Sequence, residues 1–255
     1  MTDDKIILMY HGITEEGLMP PSEREVGADL YDVRVEDFSA QLELIRKKGL
    51  GVKKIEEAGT NDIVITFDDG EFNNFSLAMP LLKQHQFPAY FFVITKRVGR
   101  PGYVRMEEIK EMVKQGMIVG SHGMSHEALT NLKDTLLNEE LSASKKYLER
   151  NLGITINDLS IPRGFCNDKV LDMAYAAGYK NVFISGRPKD LVNTLCHSRV
   201  AVKKNWDLKR FEMALDRQVP IKETLTEKTK NFSKLILREN GYNWIRSTLL
   251  KLFKG

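Results

Sequence analysis

Ile63-Val64-Ile65-Thr66-Phe67-Asp68-Asp69-Gly70 is the stretch on which the reading of this chain turns. Its first five residues are β-branched or aromatic, the composition of a strand running through a core. An unpaired carboxylate is costly in an apolar interior, so the strand must reach a rim at Asp68, where Gly70 permits a turn. Of two adjacent carboxylates at such a rim, one can bind a metal while its neighbour takes a proton. Further along, the strand-like Met117-Ile118-Val119 leads through Gly120 into Ser121-His122-Gly123-Met124-Ser125-His126. Two histidines at this H-x-x-x-H spacing share one face if the turn is helical. Neutral imidazoles with a carboxylate are the usual donors of a catalytic zinc site, which keeps one position open for water. Each half alone reads as a turn or a surface pair; together, both at strand ends, they point to a metal-dependent hydrolase.

Working outward, strand-type and helix-type segments alternate. Strands are expected at 6–10, 63–67, 89–94, 117–121, near 159–162, at 181–185 and near 198–202. Helices are expected at 38–49, near 73–86, 106–115, 134–152, 168–177 and 207–217. The polar stretch through Asp32 reads as a loop. Alternation at this spacing predicts parallel strands joined by crossover helices. Chemistry at the strand ends favours a (β/α) barrel with its site at the C-terminal face; a doubly wound open sheet is the alternative. The pattern stops at Val219-Pro220, giving a barrel over 1–220 and a helical tail over 221–255.

A chain of 255 residues with 29% charged and 42% hydrophobic residues is an ordinary globular protein able to bury a sizeable core. Its net charge of +3 is unevenly placed. The tail holds Lys222, Lys228, Lys230, Lys234, Arg238, Arg246, Lys251 and Lys254 against Glu223, Glu227 and Glu239. The body therefore carries no nucleic-acid signature. The tail's Ile245, Leu249 and Leu252 form an apolar stripe among its bases. That pattern suits either docking on the barrel or another subunit, or peripheral contact with an anionic membrane. Cys166 and Cys196 form no C-x-x-C pair and read as reduced thiols. With no export signal at Met1-Thr2-Asp3-Asp4-Lys5, the expectation is a cytoplasmic protein, peripheral at the inner membrane face through its tail. The sequence does not fix the oligomeric state.

Several segments in order resemble the polysaccharide deacetylase family, carbohydrate esterase family 4. They are Tyr10-His11-Gly12, the helix from Phe38 to Gly49, the T-F-D-D-G of Thr66 to Gly70, and Pro80-Leu81-Leu82 through Phe87-Pro88-Ala89 to Phe92-Val93. The H-x-x-x-H of Ser121 to His126 and Pro162-Arg163-Gly164 complete the set. The resemblance covers roughly residues 5–202 and leaves out the tail. It implies a distorted (β/α) barrel of about seven parallel strands, and metal-dependent removal of an N-acetyl group from an acetamido sugar in a glycan or in its lipid- or nucleotide-linked precursor. By matching position it implies Asp68 as general base and Asp69, His122 and His126 as ligands of one divalent ion. Zinc is expected, with cobalt, nickel or iron also suited to such donors. It further implies an oxyanion donor in the third motif, Pro162-Arg163-Gly164, from the backbone N–H at Arg163. His11 is a candidate for lining the pocket and His197 for the general acid.

The chain departs from the family in its later motifs. R-x-P-[YF]-G would place an arginine at Ser160 and an aromatic at Arg163, so the group that orients the base is left unassigned. The fourth motif has no counterpart; Trp206 lies too late and reads as a packing residue. Another metal-dependent amidohydrolase on the same scaffold, or a non-catalytic carbohydrate-binding relative, are the rival readings. Intact Asp68 speaks against the latter, because pure binding needs no base. The expected partner is an N-acetylated carbohydrate and not nucleic acid.

Overall fold

A computed structural model describes residues 5–185 and 196–218. The expected tail at 221–255 and its boundary with the barrel lie outside these residues. In chain order the elements are β1 (Ile6–Tyr10), β2 (Ile13–Thr14), β3 (Val33–Arg34), α1 (Val35–Lys47), β4 (Ile63–Phe67), α2 (Met79–Gln84), β5 (Tyr90–Val93) and α3 (Met106–Lys114). They continue with β6 (Ile118–Ser121), α4 (Asp134–Leu152), β7 (Asp158–Ser160), α5 (Asp168–Ala176), β8 (Asn181–Ser185), β9 (Cys196–Ala201) and α6 (Leu208–Leu215).

Seven strands close a parallel barrel in the order β1-β4-β5-β6-β7-β8-β9, with β9 returning to pair Leu8 with Val200 and Met9 with Ala201 of β1. Closure settles the choice between barrel and open sheet. The short β2 and β3 pair beside the barrel, and bracket a segment that the sequence marks only as a loop.

Side chains alternate along each strand, and both faces are buried, as a parallel barrel requires. Ile63, Ile65 and Phe67 of β4 turn outward into one core layer with Phe38 and Leu42 of α1, Leu82 of α2, Met112 of α3 and Phe211 of α6. Leu159, Val182 and Ile184 pack outward against Leu141 and Leu148 of α4 and Leu171 of α5. Ile7, Val64, Tyr90, Phe92 and Phe183 fill the barrel interior. Burying each such side chain contributes about 1.5–3 kcal/mol, and because β4 is buried on both faces, its near-continuous apolar run serves the outer layer and the barrel interior alike. The same alternation aims Thr66 and then Asp68 at the axis. Gly120 makes room for this filling: a Cβ there would lie 2.5 Å from the Phe92 ring and 2.9 Å from the Asp158 carbonyl.

Candidate metal centre and catalytic site

The barrel ends its strands in polar residues at one mouth. Asp68 follows β4, its N–H donating to the Tyr10 carbonyl at 3.0 Å. Asp69 and Gly70 both take left-handed backbone, with φ of 72° and 70°. Glycine adopts that region freely, but a non-glycine there costs of order 1–3 kcal/mol. The tight turn sends the two carboxylates different ways. Asp68 faces Arg199, and Asp69 faces the histidines.

His122 follows β6 and His126 lies beyond it, their rings 4.9 Å apart. They are not on a helix, as the spacing suggested. Gly123 and His126 are left-handed, with φ of 72° and 67°, and a carboxylate of α4 holds the loop. Glu140 accepts from the backbone N–H groups of Met124 at 2.8 Å and Ser125 at 3.0 Å, and from the Ser125 hydroxyl. Those side-chain bonds occupy N–H groups that a helical turn would have directed to its own carbonyls. The rings meet by loop closure.

Nδ1 of His122 contacts the Ser160 carbonyl at 2.9 Å, and Nδ1 of His126 contacts Oε1 of Glu25 at 2.7 Å. Both partners are acceptors, so both Nδ1 atoms carry the proton, and in the neutral rings both Nε2 atoms present lone pairs. Oδ1 of Asp69 lies 3.6 Å from the first Nε2 and 3.4 Å from the second. That oxygen is buried without a hydrogen-bond partner. Among the described residues, Asp69, His122 and His126 form a group that could hold a metal ion, their donor atoms all within 4.8 Å of one another. Three lone-pair atoms converging in a buried space, one an orphaned carboxylate oxygen, suit a cation. Burial pushes the His122 pKa down to about 4 against the opposing pull of Asp68, which keeps the ring neutral for ligation.

Asp68 has a different partner. Arg199 of β9 donates Nη1 to Oδ1 at 2.8 Å and Nη2 to Oδ2 at 2.7 Å, a bidentate pair with both side chains buried. Nη2 also donates to the Ser160 hydroxyl at 2.8 Å, and Nη1 to that of Thr66 at 3.2 Å. Burial alone would raise the Asp68 pKa; the guanidinium, with His122, overrides it and holds the carboxyl well below the usual range. The cation missing at Ser160 therefore comes from β9. Arg199 was not found from sequence, although a buried arginine on an inward-facing strand position is the signal that marks it.

The other expected residues are separated by the barrel. The half-buried His11, just past β1, has its ring 5.0 Å from that of Tyr31 and a buried Nδ1 without a hydrogen-bond partner. It follows Tyr10, which pairs with Phe67 in register, so it stands beside Asp68 at the mouth; burial lowers its pKa against the opposing pull of Asp69 and Asp68. His197 is not there. It sits one side-chain period below Arg199 on β9, opposite Phe183 in register, with Nε2 3.4 Å from Oδ1 of Asn181. Pro162, Arg163 and Gly164 form a turn just past β7, at the mouth. A Cβ at Gly164 would fall 1.9 Å from the Ser185 hydroxyl, so the turn admits no side chain there. The Arg163 side chain reaches Glu25, with Nε at 3.0 Å and Nη2 at 2.9 Å. Glu25 lies in the polar stretch read as a plain loop. Trp206 is a buried packing residue of the outer core, as expected.

The described residues thus form a closed parallel (β/α) barrel with an Asp-His-His cluster at its mouth. The family described as Polysaccharide deacetylase matches residues 56–182, and the chain belongs to the polysaccharide deacetylase family. Over 134 residues it is 34% identical to a peptidoglycan-N-acetylglucosamine deacetylase of Bacillus cereus, covering 51% of this chain and 61% of that protein. Over 177 residues it is 28% identical to a poly-β-1,6-N-acetyl-D-glucosamine N-deacetylase of Staphylococcus aureus, covering 60% of this chain and 61% of that one. The chain thus spans about three-fifths of the length of these curated relatives. The solved structure of the Streptococcus pyogenes deacetylase PplD in complex with acetate superposes with a TM-score of 0.72 at 25% identity, over 82% of this chain and 97% of that one.

Proposed function

We propose that this protein is a metal-dependent N-deacetylase of an acetamido sugar within a glycan or a glycan precursor. The observation that carries the reading is the pairing, at one barrel mouth, of the converging Asp69-His122-His126 donors with a separate carboxylate, Asp68, clamped by Arg199. The names of the B. cereus and S. aureus relatives, a deacetylase of peptidoglycan N-acetylglucosamine and one of poly-β-1,6-N-acetyl-D-glucosamine, support the sugar class.

Asp69, His122 and His126 would hold one divalent ion, for which zinc suits the donors best. When bound, the ion polarises the acetamide carbonyl and a water beside it. Asp68 accepts the proton of the attacking water, and its bidentate partner keeps it ionised and aimed. A base of low pKa is weak by itself, so Asp68 would act on a water whose acidity a bound ion would raise. The backbone N–H at Arg163 lies in the turn that borders the mouth and supplies a donor for the developing oxyanion. The proton taken up by Asp68 would have to pass to the neighbouring His11, outside the ligand set, which would then return it to the departing sugar amine; His197 lies deeper on β9.

The test measures acetate release from N-acetylglucosamine oligosaccharides and from lipid-linked N-acetyl sugars, with zinc content determined on the same sample. Zinc uptake without acetate release from any of them would sink this reading, and formate release or opening of a cyclic imide would favour another amidohydrolase.

A further inference from the structure

The polar stretch after β2 enters the site by two adjacent residues that point to opposite sides. Arg24 is pinned beneath the mouth. Its Nε lies 2.7 Å from Oε1 of Glu71 and its Nη1 2.9 Å from Oδ2 of Asp32, both acids buried. Gly12 leaves the space for this anchor, since a Cβ there would lie 2.6 Å from Oδ1 of Asp32. Glu25, the next residue, turns the other way onto His126 and Arg163. A single oxygen, Oε1, meets the imidazole at 2.7 Å and Nη2 of Arg163 at 2.9 Å. Arg163 itself stands on left-handed backbone, φ 59°, at the position where the family pattern expects an aromatic ring.

We infer that Glu25 is a positioning residue of the metal centre, and that the Arg163 side chain acts on His126 through Glu25 instead of touching the sugar. The inference rests on the metal-dependent reading of the site and deepens it. A carboxylate on Nδ1 fixes which imidazole nitrogen carries the proton, orients the ring and raises the basicity of Nε2, the atom facing Asp69. A guanidinium on the same oxygen holds that carboxylate in place with charge-assisted bonds. The anchor at Arg24 lets an otherwise irregular segment deliver Glu25 with a fixed aim. The metal centre is thus completed by a part of the chain far from both motifs.

Zinc affinity, read by competition with a chromogenic chelator, is the deciding measurement, with the melting temperature of the metal-free protein beside it. Glu25→Ala should weaken zinc binding by on the order of 10–100-fold, the usual cost of losing such a partner. Glu25→Gln, which keeps an acceptor but no charge, should fall between parent and Ala and carries the test if the alanine variant does not fold. Arg163→Leu should weaken zinc binding less than Glu25→Ala, and the double variant should be no worse than Glu25→Ala, because one residue works through the other. Unchanged zinc affinity in Glu25→Ala and Glu25→Gln, with a lowered melting temperature, would make the contact purely structural and overturn the inference. A raised KM in Arg163→Leu with unchanged zinc affinity would return Arg163 to the substrate. Failure of the parent protein to bind zinc would count instead against the metal-dependent reading itself.

Discussion

Arg199 and Asp68 meet inside the barrel as a buried bidentate pair, 2.8 and 2.7 Å between their paired atoms, although one lies within β9 and the other just past β4, strands that flank β1 on opposite sides. The guanidinium also touches Ser160, the position where the family pattern carries its own arginine. The cation has changed strands and kept its partner. The missing arginine therefore does not leave Asp68 unpaired.

That relocation can be reversed. Arg199→Met leaves a buried carboxylate unpaired, a change that typically costs 3–5 kcal/mol, and turnover should collapse. In Ser160→Arg/Arg199→Ser the guanidinium grows from β7 toward the same carboxylate, and a measurable part of the turnover should return. No recovery in a folded, zinc-loaded double variant would mean that Arg199 does more than pair with Asp68.

The two adjacent aspartates should separate cleanly by mutation. Asp68→Asn keeps shape but accepts no proton at neutral pH, so zinc should stay bound while turnover falls by on the order of 10²–10⁴, the usual share of general base catalysis. Asp69→Asn should lower zinc affinity, with excess zinc restoring part of the activity. The opposite rescue pattern would exchange the two roles.

His11 and His197 make a similar pair. His11→Ala should retain zinc and lose turnover on the order of 10²-fold or more if it returns the proton to the amine. His197→Gln should alter stability and leave turnover of the folded protein near that of the parent. A large kinetic loss in His197→Gln with His11→Ala near normal would restore His197 as the acid.

Much of this was legible in the sequence because it is local. The β-branched and aromatic run of β4 and the alternation of strand and helix point to parallel strands with crossover helices, whose closure only the structure shows, and Asp68-Asp69 and His122/His126 each fall within one short motif. Spacing alone could not say how the histidines meet, because Glu140 comes from a helix beyond the motif and captures the N–H groups of Met124 and Ser125. Arg199 and Glu25 could not be read from neighbours at all. One shares its strand face with His197, and only closure of β9 on β1 tells which of the two reaches the mouth. The other sits in a segment without periodicity, whose course is set by Arg24 finding Glu71 and Asp32.

Away from the mouth, Asp158 offers a pH test. Burial raises its pKa to about 6, although Asn181 donates to it at 2.8 Å. A carboxyl with a raised folded-state pKa favours folding while protonated, so its contribution is full below the unfolded value and is lost as pH rises through about 6. Two pK units amount to at most roughly 3 kcal/mol. Asp158→Asn should therefore melt higher than the parent at pH 8, with the difference shrinking toward pH 4. A difference independent of pH would show that Asp158 is not held this way.

The pairing of β9 with β1 also imposes an order of events on a newly made chain. Asp69, His122, His126 and Glu25 are all synthesised before β9, and domains emerge from the N-terminus onward. A nascent chain ending at β8 would carry every donor for the ion while Asp68 still waited for its cation. Closure of β9 is then the step that gives Asp68 its cation, so on the proposed reading capacity to hold the ion would precede capacity to hydrolyse.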